Sequence, residues 1–282
     1  MKCGRLKNEK STLESGFFKL QTLHFLLCFG LLAVPGLATT SQRIMASAQL
    51  QRIQRRGYLT VAVKDNLRPL GFRDSEENLQ GLEIEIAQRL AAEILGDRNA
   101  IRWLPANNQE RLALVAEGRV DLAIARLSVT GSRSRLVDFS TPYYIDGTAF
   151  VTRQPAIDSL EAIGQQTIAV LNDSTTVAYV RYFIPNANLV GVDSYQEALA
   201  LLEAGEAATF AADATVLTGW VQEYPQYRLL PFLISADALA IAMPRGLQHD
   251  AFRRKVNQAI AQWRSEGWLR ERAQFWGLPL PQ

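Results

Sequence analysis

The sequence predicts an α/β protein of two lobes, each a mostly parallel sheet flanked by helices, with two chain crossings that would act as a hinge. Three observations predict it. Short β-branched runs alternate with amphipathic stretches from Tyr58 onward, the pattern of parallel strands joined by helices. The same units begin again after Thr152. The chain has 282 residues, 48% of them hydrophobic, a length at which one core usually divides into two.

The first 48 residues read as an export address. They hold six bases and two acids, a net of +4 within a total of +2, so the remainder carries −2. That remainder has no basic surplus for nucleic acid. A basic stretch ending at Lys19 precedes the apolar run Leu23 to Val34, and Pro35-Gly36 and small residues follow. A spanning helix needs about 20 apolar residues, and His24 and Pro35 bracket about half of that, which favours a secretory signal. Cleavage after Ala38 or after Ala48 fits the small residues, and an uncleaved anchor stays open. Cys3 and Cys28 both lie in this segment, so the exported chain has no thiol for a disulfide or a zinc site.

In order along the chain, Leu59 to Lys64 reads as a strand. Gly81 to Leu95 is a helix with apolar residues at Leu82, Ile86, Leu90 and Ile94, ended by Gly96. Ile101 to Leu104 is a strand, Asn108 to Glu117 a helix closed by Gly118, and Val120 to Ala125 a strand. The second set runs strand Thr167 to Leu171, helix Thr175 to Phe183, strand Leu189 to Val192, helix Ser194 to Glu203, strand Thr209 to Ala211 and helix Val216 to Val221. A strand Ala238 to Ala242 and two closing helices, Leu247 to Trp263 and Gly267 to Phe275, complete it. The expected division is residues 49–147 with 239–282 as one lobe and 148–238 as the other, with crossings near Gly147 to Arg153 and Asp237 to Met243.

Three positions point to chemistry. Thr130 is placed to cap a helix starting at Gly131, which leaves Arg133 in a first turn whose partial positive charge repels it. Either an anion sits opposite Arg133, or it snorkels at the surface or pairs with Asp138. Asp173-Ser174-Thr175-Thr176 joins a strand end to a helix start, which is either an anion-binding terminus or plain N-capping. Asp213 lies at the carboxyl end of a strand, where open α/β sheets bind ligands; it either holds an ammonium group or caps the next helix. Catalytic and cofactor signatures are thin: there is no Gly-rich phosphate loop, no metal-spaced ligand set, no G-x-S-x-G, and His249 is the one histidine left after export. Glu83 and Glu85, two apart on a helix, do not face each other and read as solvated charges.

These residues resemble a known family, the bacterial extracellular solute-binding proteins of the polar amino-acid type that serve ABC importers. The resemblance rests on Gly81-Leu82-Glu83-Ile84-Glu85-Ile86 with Leu90, Ala91 and Ile94. It rests also on Gly118-Arg119-Val120-Asp121-Leu122-Ala123 through Ser128-Val129-Thr130, Arg133 and Val137-Asp138-Phe139-Ser140-Thr141-Pro142-Tyr143-Tyr144, and on Gly267-Trp268-Leu269 and Phe275-Trp276-Gly277. It implies a two-lobed periplasmic-binding-protein fold of type II, no enzymatic activity, no cofactor, an ABC permease as partner, and a monomer in the periplasm. It further implies that Arg133 holds a ligand α-carboxylate as a bidentate pair, aided by Ser128 and by Ser174 and Thr175, and that Asp213 binds the α-ammonium. Leu67 stands where the family usually places a covering aromatic residue, Lys64 where an acid is common, Arg126 where Gly or Ser is, and Asp173 where a Gly commonly precedes the Ser/Thr pair. Lys64 and Arg126 are therefore expected to select an acidic or amide side chain over a basic one. A dehydratase-like enzyme on the same scaffold and a sensor lobe for a membrane partner are the alternatives.

Overall fold

The computed structural model describes residues 47–280 except 173. The segment 1–48, expected from the sequence to direct export, therefore lies outside the described residues apart from Ser47 and Ala48, as does Asp173. No described helix is long and apolar enough to cross a membrane.

The first part of the chain runs α1 (Ala48–Arg56), β1 (Leu59–Val63), β2 (Asn66–Leu67), β3 (Gly71–Arg73), β4 (Leu79–Gln80), α2 (Leu82–Leu95), β5 (Ile101–Pro105), α3 (Glu110–Ala116), β6 (Leu122–Ile124) and β7 (Asp138–Phe139). The strand β8 (Tyr144–Asp146) leads out of this part. The second part comprises β9 (Thr148–Thr152), α4 (Leu160–Ile163), β10 (Thr167–Leu171), α5 (Thr175–Phe183), β11 (Asn188–Val192), α6 (Tyr195–Ala204), β12 (Thr209–Asp213), α7 (Ala214–Glu223) and β13 (Arg228–Leu229). The strand β14 (Asp237–Leu239) returns to β15 (Ala242–Met243), followed by α8 (Asp250–Ser265) and α9 (Trp268–Phe275).

Two five-stranded sheets result, ordered β5-β1-β6-β15-β7 and β11-β10-β12-β9-β13. In each, the first three strands are parallel, as crossover helices demand, and the last two join antiparallel. The two passages between the sheets, β8 and β14, form their own antiparallel ribbon, with Asp146 opposite Asp237 and Tyr144 opposite Leu239. This is a type II periplasmic-binding-protein fold of two lobes.

The core follows the helical period read from the sequence. Leu82, Ile86 and Leu90 of α2 are fully buried against β1 and β6, each worth about 1.5–3 kcal/mol on the area scale. Phe252, Val256, Ile260 and Trp263 of α8 join the same cluster, so the end of the chain packs on the first sheet. The second sheet buries Phe150 and Phe210 on its two faces.

Several expectations are corrected. The helix placed after Thr130 is a single 3-10 turn, Arg133–Arg135, with Ser132 at its N-cap position; the chain must reach β7 at Asp138, so no second turn fits. Asp138 does not partner Arg133 but pairs with Arg253 and, at 3.9 Å, Arg245. The strand Ala238 to Ala242 is divided, because Ala240 leaves the ribbon to donate to the Leu127 carbonyl at 3.0 Å. Glu83 is not a solvated charge: it is 0% exposed. The helix α1 was not anticipated.

Candidate functional site

The loop after β6 carries the first part of the site. It is pinned to the returning ribbon strand, since Val129 N–H donates to Ala238 O at 2.9 Å and Ser128 bridges Leu239. Arg133 folds back over this loop: its Nη1 donates to the Ser128 carbonyl at 2.9 Å and to Ser128 Oγ at 2.6 Å. Among the described residues no carboxylate forms an ion pair with Arg133. Burial first, and then the nearby Arg126 guanidinium, lower its pKa. A half-buried guanidinium anchored only by neutral oxygens is suited to receive an anion.

Arg126 occupies the left-handed region, with φ 49°. The buried Glu83 holds it there, accepting from the Arg126 backbone N–H at 2.6 Å, while the Tyr143 hydroxyl donates to the same carboxyl oxygen. Glu83 sits in the first turn of α2, where the helix field favours negative charge. Burial nevertheless outweighs these bonds and pushes its acid above the ordinary range. From the other side Arg111 donates to the carbonyls of Ala125 and, at 2.9 Å, Arg126. Burial, followed by repulsion from Arg133 and Arg126, lowers Arg111 to about 10. The Arg126 backbone is thus clamped.

The Arg126 side chain then spans the two lobes. Its Nη2 pairs with Asp213, its Nε donates to Thr215 Oγ1 at 3.3 Å, and Asp146 lies 3.7 Å from Nε. Asp146, on the ribbon, is itself held by Thr215 Oγ1 at 2.6 Å, Thr215 N–H at 3.1 Å and Gly147 N–H at 2.9 Å. Asp213 is the last residue of β12 and stands at the N-cap of α7, yet its side chain makes no cap hydrogen bond. Its carboxylate faces Arg126 instead of the helix.

The remaining predicted residues are less gathered. Ser174 precedes α5, but its hydroxyl turns back to donate to Leu171 O at 2.7 Å, so it does not offer itself across the cleft in this conformation. Thr175 is exposed at the first turn of the same helix, and no hydrogen bond joins either residue to Arg133 among the described residues. Lys64, at the end of β1, is 8% exposed and has no hydrogen-bond or ion-pair partner among the described residues. Burial, then Arg111, lowers its pKa. Leu67 lines a cavity of about 650 Å³ between the lobes, opposite Tyr195 and Trp220.

The sequence reading named Arg133, Ser128, Arg126, Asp213 and Lys64, of which the structure joins Arg133 to Ser128 and Arg126 to Asp213. It missed Glu83, Tyr143, Asp146, Thr215 and Tyr195. One available signal was Arg126 itself, an arginine where the family resemblance leads one to expect a small residue.

Comparison with known proteins agrees with the fold. Residues 59–279 match the family described as Bacterial extracellular solute-binding proteins, family 3. The glutamine-binding protein of Geobacillus stearothermophilus is 28% identical over 207 residues, 72% of this chain and 79% of that protein. The cyclohexadienyl dehydratase of Pseudomonas aeruginosa is 27% identical over 264 residues, 89% of this chain and 92% of that protein. Among solved structures, the solute receptor for L-cysteine of Neisseria gonorrhoeae superposes with a TM-score of 0.61 at 26% identity, covering 80% of this chain and 92% of that one.

Proposed function

The chain belongs to the bacterial extracellular solute-binding proteins, family 3, and from that premise we propose that it captures a polar amino acid with an acidic or amide side chain between its lobes and delivers it to an ABC permease. In this reading Arg133 and Ser128 take the α-carboxylate with help from the Ser174-Thr175 helix start, Asp213 takes the α-ammonium, and Lys64 and Arg126 meet the side chain. Residues 49–147 with 239–282 form one lobe and 148–238 the other, the segment 1–48 directs export to the periplasm, and the protein acts as a monomer. The observation that carries the reading is Arg133, half-buried, seated on Ser128 and without a carboxylate partner among the described residues. Closure of two lobes around a bound solute desolvates that charge pair and strengthens it.

Catalysis is the weaker reading despite the dehydratase relative. A dehydratase needs an acid that reaches its substrate. Glu83 has a raised pKa, but it is fully buried and one of its oxygens is held by two donors.

A thermal-shift screen of the purified protein against the common amino acids and dicarboxylates tests the proposal, because a ligand of the folded state raises the melting temperature. A rise with glutamate, aspartate or glutamine is expected. Tighter binding of arginine or lysine would overturn the selectivity, and silence with every solute would overturn the binding role.

A further inference from the structure

The carboxylate that an incoming ammonium would need is already occupied by the protein's own guanidinium. Arg126 reaches Asp213 from the opposite lobe, and its hold is threefold: the ion pair, the hydrogen bond to Thr215 and the nearby Asp146. Its backbone cannot swing away easily, because Glu83 grips the N–H and Arg111 the carbonyl. An ammonium would have to break a partly buried charge pair and leave a guanidinium stranded among Lys64, Arg111 and Arg133.

The rest of the charge in the cleft points the same way. Arg111 donates from Nη1 to the two backbone carbonyls, while its buried Nε has no hydrogen-bond partner among the described residues. Glu83 and Asp146 are buried and bonded to Tyr143, Thr215 and backbone N–H groups. Asp65 faces Arg73 at 3.3 Å, and Glu223 lies on the exposed rim of the cavity. Arg68, exposed at the cavity, lies 3.8 Å over the Phe72 ring, and two further cations have no ion-pair partner among the described residues and sit closer to Arg126: Arg133, seated on Ser128, and Lys64, more than nine-tenths buried.

We propose that the solute is a dicarboxylate recognised without any ammonium group: one carboxylate binds Arg133, the other binds Lys64, and Arg126 stays paired with Asp213. This rests on the solute-binding role proposed above but replaces its ligand assignment at Asp213, because with Arg126 in place the α-ammonium has no carboxylate to meet and the α-amino group becomes dispensable. Arg126 is then the residue that sets specificity, since it fills the ammonium site from within.

Calorimetry with glutarate and glutamate tests this directly, as the two differ only by the ammonium group. The wild-type protein is expected to bind glutarate at least as tightly as glutamate. Arg126→Gly, which suits the positive φ and releases Asp213, is expected to reverse the preference toward glutamate by about tenfold or more, the scale of one desolvated charge pair. A wild-type preference for glutamate of about tenfold or more would overturn the inference, as would an unchanged preference in Arg126→Gly. If a neutral or basic amino acid binds and neither glutarate nor glutamate does, the dicarboxylate inference falls while the solute-binding role stands. If no solute binds, that role falls as well.

Discussion

Gly219 offers a way to weaken lobe closure without touching any proposed ligand contact. It lies in α7, on the face that meets the loop after β2, and a Cβ placed there would sit 2.2 Å from the Arg68 carbonyl oxygen and 3.0 Å from its carbon. Those atoms are backbone and cannot rotate aside. Ordinary contact begins near 3.4 Å, so the two lobes must part by about 1 Å along this line. Within α7 the same methyl is favourable by about 1 kcal/mol, because alanine is the better helix former. Gly219→Ala should therefore keep or raise the stability of the second lobe while penalising the closed arrangement by about 1–3 kcal/mol, the usual cost of overpacking. If the closed arrangement is the one that binds, affinity falls by about five- to 150-fold. Calorimetry gives the affinity, denaturant unfolding the stability, and small-angle scattering the lobe separation. Gly219→Val should exaggerate the loss. Wild-type affinity together with an unchanged radius of gyration in both variants would refute the reasoning.

Other outcomes follow from the site. Arg133→Ala should cost about 2–5 kcal/mol of ligand binding with little change in melting temperature; near-normal affinity by calorimetry would remove Arg133 from the site. Thr215→Val keeps the volume but strips Asp146 of its 2.6 Å hydroxyl donor, so urea unfolding should show a loss of about 1–3 kcal/mol, and an unshifted midpoint would contradict it. Glu83 has a folded pKa raised above its ordinary 4.5 by burial, so the folded chain holds a proton that the unfolded chain releases as pH climbs past that value. The stability it contributes is thus present at low pH and is lost as pH rises. Glu85 and Asp146 are raised by burial as well and act in the same direction. Glu83→Gln should flatten, though not abolish, the decline in stability above about pH 4.5, and pH-resolved unfolding of the two proteins, if superimposable, would dismiss Glu83 as its source.

Much of the fold was legible because the signals were local. The period of Leu82, Ile86, Leu90 and Ile94 marked α2, and Gly96 marked its end, where φ is indeed 79°. Thr167 to Leu171 and Thr175 to Phe183 needed no adjustment. In contrast, α1 escaped notice because its nine residues are mostly Gln and Arg, with Ile53 alone deeply placed among its apolar side chains; its docking depends on a distant Asp121, which pairs with Arg56. Glu83 and Glu85 look alike in sequence, and what separates them is Tyr143, which is 60 residues away and reaches only the first. Arg133 and Asp213 were identified by type and position, but the occupation of Asp213 by Arg126 is a fact of tertiary structure. No spacing rule announces it.

The ribbon formed by β8 and β14 constrains how such a molecule can move. Two strands bonded edge to edge resist sliding past one another, since a slip would break every rung, whereas bending them together breaks none. The motion left to the lobes is that of a book on its spine. Asp146 sits on the spine and the Arg126–Asp213 contact lies across the pages, so opening separates Arg126 from Asp213 and Thr215 in one event.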